Sequence, residues 1–147
     1  MGRKTVFLLL ALALVALSLA GCGSDDSCAV ANDGGNPDIW FTYVPPYGSY
    51  DHLEGSVSNV RPQDYKVAVY IKVGGWWTKP YWSDPKTDID KCGNFSTDIT
   101  TGGSDQYATE IRAYLIPADY DPPLARGYYY IPEEIGDNAV DVAIAKR

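Results

Sequence analysis

The sequence predicts an all-β protein, an antiparallel β-sandwich of immunoglobulin-like type with about seven or eight strands. Three observations predict it. Short runs rich in β-branched and aromatic residues recur through residues 37–147. The clearest of them alternate with a period of two, and glycine or proline closes nearly every run. No segment shows a convincing helical repeat, and a small closed barrel is the alternative architecture.

The elements follow in order. Ile39 to Val44 is β-branched and aromatic, and Pro45-Pro46 stops it. Leu53 to Val60 alternates and ends before Arg61-Pro62. In Tyr65 to Val73, Val67, Val69, Ile71 and Val73 share one face, and Lys66, Ala68, Tyr70 and Lys72 share the other, as in a half-buried strand. Gly74-Gly75 breaks it, and Trp76 to Trp82 follows with Pro80 cutting it short. Asn94 to Thr100 is bounded by Thr101-Gly102-Gly103. Ala108 to Ile116 places Ile111, Ala113 and Leu115 inward and Glu110, Arg112 and Tyr114 outward. Gly127 to Ile131 is a tyrosine-rich strand, and Val140 to Ala145 closes the chain with Val140, Val142 and Ile144 on one face.

The first residues belong to another kind of segment. Arg3 and Lys4 precede an uncharged, apolar stretch from Thr5 to Ala20, the pattern of a secretory signal. That stretch is shorter than the roughly 20 residues that cross a bilayer as a helix. It ends Leu19-Ala20-Gly21-Cys22, which resembles the lipobox of bacterial lipoproteins. The resemblance implies a diacylglyceryl group on the sulfur of Cys22, cleavage between Gly21 and Cys22, and a lipid anchor on the outer side of a cell membrane. Gly23 after the cysteine implies, by the same analogy, delivery to an outer membrane where there is one. Residues 1–21 are then the signal peptide, the polar, acidic residues 22–36 a flexible tether, and 37–147 the sandwich.

Charge narrows the partners. Loss of Arg3 and Lys4 with the leader takes the twelve basic residues to ten against nineteen acidic, a formal charge near −9. Such a surface argues against nucleic acid as a partner, and against electrostatic adhesion to anionic lipid. Twelve tyrosines and four tryptophans stand against three phenylalanines, an excess of rings that carry a polar tip and suit wet binding surfaces as well as cores.

The stretch from Gly55 to Pro117, with Gly55-Ser56-Val57, Tyr65 to Tyr70, Gly75-Trp76-Trp77-Thr78-Lys79-Pro80, Gly93-Asn94-Phe95, Ile99 to Gly103 and Ala108-Thr109-Glu110-Ile111, resembles small β-sandwich modules of bacterial surface proteins, some beside carbohydrate-active domains. The resemblance implies a binding or spacer module and carries no activity with it.

Trp76, Trp77, Tyr81 and Trp82, with Lys79 among them and Asp84 and Lys86 nearby, form the candidate ligand-binding site. Sugar rings stack apolar C–H faces on indole and phenol rings while their hydroxyls seek polar neighbours. Adjacent Trp76 and Trp77 must point to opposite faces of an extended strand, so one of them is expected in the core. Polysaccharide is the expected ligand class, and an envelope protein the alternative partner. Tyr128, Tyr129 and Tyr130 beside Arg126 are expected to pack at a sheet edge.

Cys28 and Cys92 remain after Cys22, and in an exported chain they are expected to pair. Asp88-Ile89-Asp90 before Gly93 partly fits an EF-hand loop, but Cys92 and Ile99 fall where oxygen ligands belong, so a polar turn is expected and no metal. His52 is the single histidine, which gives little support to a zinc site or a nucleophile–histidine pair. No cofactor and no catalytic residues are expected; a small hydrolase with paired carboxylates is the third reading.

Overall fold

The computed structural model describes residues 28–147, and the leader with the Cys22 lipidation signal lies outside them. Eight strands form two antiparallel sheets: β1 (Asp38–Tyr43), β2 (Leu53–Ser58), β3 (Tyr65–Val73), β4 (Gly75–Lys79), β5 (Asn94–Thr97), β6 (Glu110–Pro117), β7 (Arg126–Tyr128) and β8 (Asp141–Lys146). One sheet has the order β1-β2-β5 and the other β7-β4-β3-β6-β8. Apart from β7, this is an immunoglobulin arrangement, with the first, second and fifth strands facing the rest. Every expected strand is present, most of them a residue or more shorter than the apolar runs suggest.

The core follows from the alternation. Val67, Val69 and Ile71 of β3 and Ile111, Ala113 and Leu115 of β6 are fully buried between the sheets, against Ile39, Leu53, Val57 and Phe95. Gly55 is required there: a Cβ on it would lie 2.2 Å from the Phe95 ring.

The outer face of the larger sheet differs from the expected half-buried strand. Ala68, Tyr70, Trp76, Tyr114 and Ile116 are buried in a second cluster with Ala125 and Ile135. The β6–β8 connection causes this. It crosses the outer face, adds β7 beside β4 at the far edge, and returns through a short helix, α1 (Glu134–Asn138). Tyr70 Oη donates to the Pro123 carbonyl at 2.7 Å, pinning that connection to β3. Tyr114 points outward as expected, and the connection covers it.

The last strand turns its shared Val140, Val142 and Ile144 face outward. Ala113 pairs with Ala143 and Tyr114 with Val142, so Ala143 enters the core while Val140, Val142 and Ile144 lie exposed on the outer side. The small side chains of Ala143 and Ala145 let β8 approach β1, where the Asp141 carboxylate accepts from the Ile39 amide at 2.9 Å.

Residues 28–36, expected as part of a flexible tether, are held against the domain. Cys28 is disulfide-bonded to Cys92. Asn59, in the left-handed region at φ 58°, donates its amide to the Ala31 carbonyl and its side-chain nitrogen to the Asn36 carbonyl, and accepts from the Asp33 amide. The Asp88–Asp90 stretch is the polar turn expected: Asp90 Oδ1 accepts from the Cys92 and Asn94 amides, and Asp88 pairs with Lys66.

Candidate functional site

The unequal sheets create the site. Three strands cannot cover the inner face of five, so β4 and β7 extend past the smaller sheet. Trp77 and Lys79 pair with Ile71 and Val69 of β3 and so share the inner face with them. Instead of a strand, the segment from Ile99 to Tyr107 closes this flank, with Ile99 fully buried. Between that segment and the turn after β4 lies a cleft of about 730 Å³.

The floor of the cleft is polar and self-contained. Lys79 forms a buried ion pair with Asp105, and its ammonium also donates to Thr101 Oγ1 at 3.1 Å. The Thr101 hydroxyl donates to the Pro80 carbonyl at 2.6 Å. The Gly102 amide donates to the Asp105 carboxylate at 2.8 Å. The floor thus presents no net charge, and its carboxylate already holds two partners.

The walls are aromatic. Trp77 is half-buried, its indole N–H committed to the Val73 carbonyl at 3.1 Å, so that ring offers carbon rather than a donor to the cleft. Tyr81 and Trp82, in the turn after the cis Lys79-Pro80 peptide, stand 54% and 46% exposed on the cleft. The Arg126 guanidinium lies 4.5 Å from the Trp82 ring centroid and steadies that indole while leaving it accessible. Gly127 lets β7 pass against Trp77: its φ is 82°, and a Cβ there would lie 2.9 Å from the indole. Gly75 makes the same allowance for the Gly127 backbone, where a Cβ would meet a carbonyl oxygen at 2.5 Å.

Of the residues singled out from sequence, Trp77, Lys79, Tyr81 and Trp82 line this cleft. Trp76 does not. It points to the outer face, is buried at 4% exposure, and lies under Arg112 and Lys72 at 4.9 and 5.8 Å. This is the alternation expected of adjacent strand residues. Asp84 is exposed and outside the cleft, tied to Tyr81 by a backbone bridge. Lys86 points elsewhere, donating to the Ala118 and Tyr120 carbonyls and to Asp121.

Asp105 and Thr101 complete the cleft, and no local sequence pattern marks them; Asp105 is 26 residues from its partner. The tyrosines of the β7 edge differ from the packing role expected of them: Tyr128, Tyr129 and Tyr130 are 50%, 80% and 75% exposed. Strand β7 ends at Tyr128, so the other two lie on a bend with no sheet to pack on.

The chain matches no protein-family model, no curated protein and no solved structure. Among the described residues, no helix is long and apolar enough to cross a membrane.

Proposed function

We propose that the protein is a lipid-anchored, extracytoplasmic binding module whose cleft takes an uncharged sugar ring of a larger glycan. One observation carries the ligand class: Trp77, Tyr81 and Trp82 line a single cleft whose floor is an internally neutralised ion pair. A sugar ring suits such a site because it offers C–H faces to the rings and hydroxyls to the rim. A charged ligand does not, since Lys79 and Asp105 already satisfy one another. The anchor rests on the Leu19-Ala20-Gly21-Cys22 sequence and its resemblance to the lipobox.

The reading is of binding rather than bond cleavage. Glycoside hydrolysis commonly uses two carboxyl groups roughly 5–9.5 Å apart. Asp105 is the acid that lines the cleft, and its carboxylate is committed to Lys79 and Gly102.

Titration of the mature chain with soluble polysaccharides, followed by tryptophan fluorescence, tests the proposal. A saturable shift with at least one neutral glycan supports it, and no response across the series counts against it. A second reading, a protein-interaction lipoprotein, is favoured by the exposed Tyr128–Tyr130 edge. It predicts that alanine at these tyrosines releases a co-purifying envelope protein and leaves glycan binding unchanged.

A further inference from the structure

The two ends of the sandwich differ, and the chain leaves it from one of them. Cys92 and Gly93 lie beside Val57, whose amide donates to the Gly93 carbonyl at 2.8 Å. Ser58, one residue on, pairs with Asp38 at the start of β1. Cys28 bonds Cys92 here, and Asn59 holds Ala31 and Asn36 here. At the other end, Leu53 pairs with Thr97, and Gly48 donates to the Gln106 carbonyl at 2.8 Å. Arg147 donates to the Pro45 carbonyl at that end as well. Tyr47 and Tyr107 meet there with ring centroids 5.4 Å apart, both largely exposed. Strand β3, nine residues long, spans about 30 Å between the ends.

We infer that the Cys28–Cys92 disulfide makes the Asn59–Cys92 end of the sandwich its membrane-facing end and turns the Tyr47–Tyr107 end away from the bilayer. This rests on the reading of Cys22 as the lipid-bearing residue. Whatever path the chain takes between them, the six residues from Cys22 to Cys28 reach at most about 20–22 Å. A flexible chain of six residues has a root-mean-square span of about 13 Å, well under the length of the domain. Without the bond, the first backbone contact is at Ala31, and the reach grows to about 30 Å.

Charge does not compete with this placement. Among the described residues at that end, Arg61 pairs with Asp64 and Lys66 with Asp88, so neither is left as a free cation to draw it onto anionic lipid. The covalent leash sets the orientation, and the bilayer surface is the occupant of that end. The cleft, running from Val73 near the far end to Lys79 at the end of β4, opposite the middle of β3, then opens on the flank.

The test uses the mature acylated protein in lipid nanodiscs carrying a gadolinium-chelating headgroup lipid, with paramagnetic relaxation read at each backbone amide. Relaxation at Asn59 and Gly93 is expected to exceed that at Tyr47 and Tyr107 by about tenfold or more, given the short root-mean-square span of the tether. In the C28S/C92S chain the relaxation at Gly93 falls several-fold. Equal or stronger relaxation at Tyr47 and Tyr107 in the unsubstituted protein overturns the inference, as does an unchanged profile in C28S/C92S. A chain whose mass shows no acyl group on Cys22 removes the lipid-anchor reading, and this inference with it. An acylated chain with the gradient reversed overturns this inference alone.

Discussion

Lys79 and Asp105, on β4 and on the segment that closes its flank, form an ion pair with side chains 7% and 10% exposed. The pair and its Thr101 and Gly102 hydrogen bonds join that segment to β4 and hold the cleft in shape. Removing one partner strands the other charge out of water. D105A is therefore expected to destabilise the fold by about 3–5 kcal/mol, and the K79M/D105A double substitution by markedly less. Urea unfolding of the three proteins measures it; a double variant no more stable than D105A would contradict the role given to the pair.

Gly127 faces the Trp77 indole with φ at 82°, so any side chain meets both the ring and an unfavourable backbone conformation. G127A is expected to cost about 1–3 kcal/mol and to lift β7 from β4. A thermal melt, with hydrogen exchange at the Arg126 and Tyr128 amides, checks both effects.

Tyr70 connects stability to alkaline pH. Burial, with Tyr120, Tyr114 and Glu134 nearby, pushes its phenol well above the ordinary value of 10.0. The unfolded chain loses this proton first, so above about pH 10 the folded state binds more protons and stability falls as pH rises. Below that pH the group contributes no slope. Y70F, which cannot ionise, is expected to lose about 1 kcal/mol at neutral pH with the Pro123 hydrogen bond, and to flatten the alkaline decline. Urea midpoints from pH 8 to 12 read both.

The Cys28–Cys92 bond closes a loop of sequence separation 64. In the chain-entropy model such a link contributes about 4 kcal/mol. Reduction is expected to lower the urea midpoint accordingly, and the oxidised mature protein to show no titratable thiol at either position.

Much of this fold was legible because alternation reports geometry directly. In β3 and β6 the residues at every second position mark the inner face, and Val67, Val69, Ile71, Ile111 and Leu115 are fully buried there. Alternation does not report what covers the other face. Tyr70 and Tyr114 look like outward residues of a half-buried sheet until the β6–β8 connection is laid over them. Strand β8 carries two apolar sets, and only its register with β6 decides that the alanines face in. Helix α1, five residues long, is too short to display a helical period.

The site was legible to the same degree. The aromatic richness of Trp76 to Trp82 marks the strand and turn that line the cleft, and alternation separates Trp76 from Trp77. Asp105 reaches the cleft through its contact with Lys79, and Arg126 supports Trp82 by stacking on its ring; no local spacing records either contact. Asp84 and Lys86 lie close in sequence, but the turn at Tyr81–Asp84 carries them away from the cleft.

Calorimetric titration of the mature protein and its W82A variant, against the neutral polysaccharide that most shifts tryptophan fluorescence, tests the proposed binding site most directly. Trp82 is 46% exposed and outside both cores, so its removal leaves the fold intact. The expected result is saturable binding that W82A weakens about tenfold, or roughly 1.4 kcal/mol. Binding unchanged in W82A, or no binding to any neutral glycan, would contradict it.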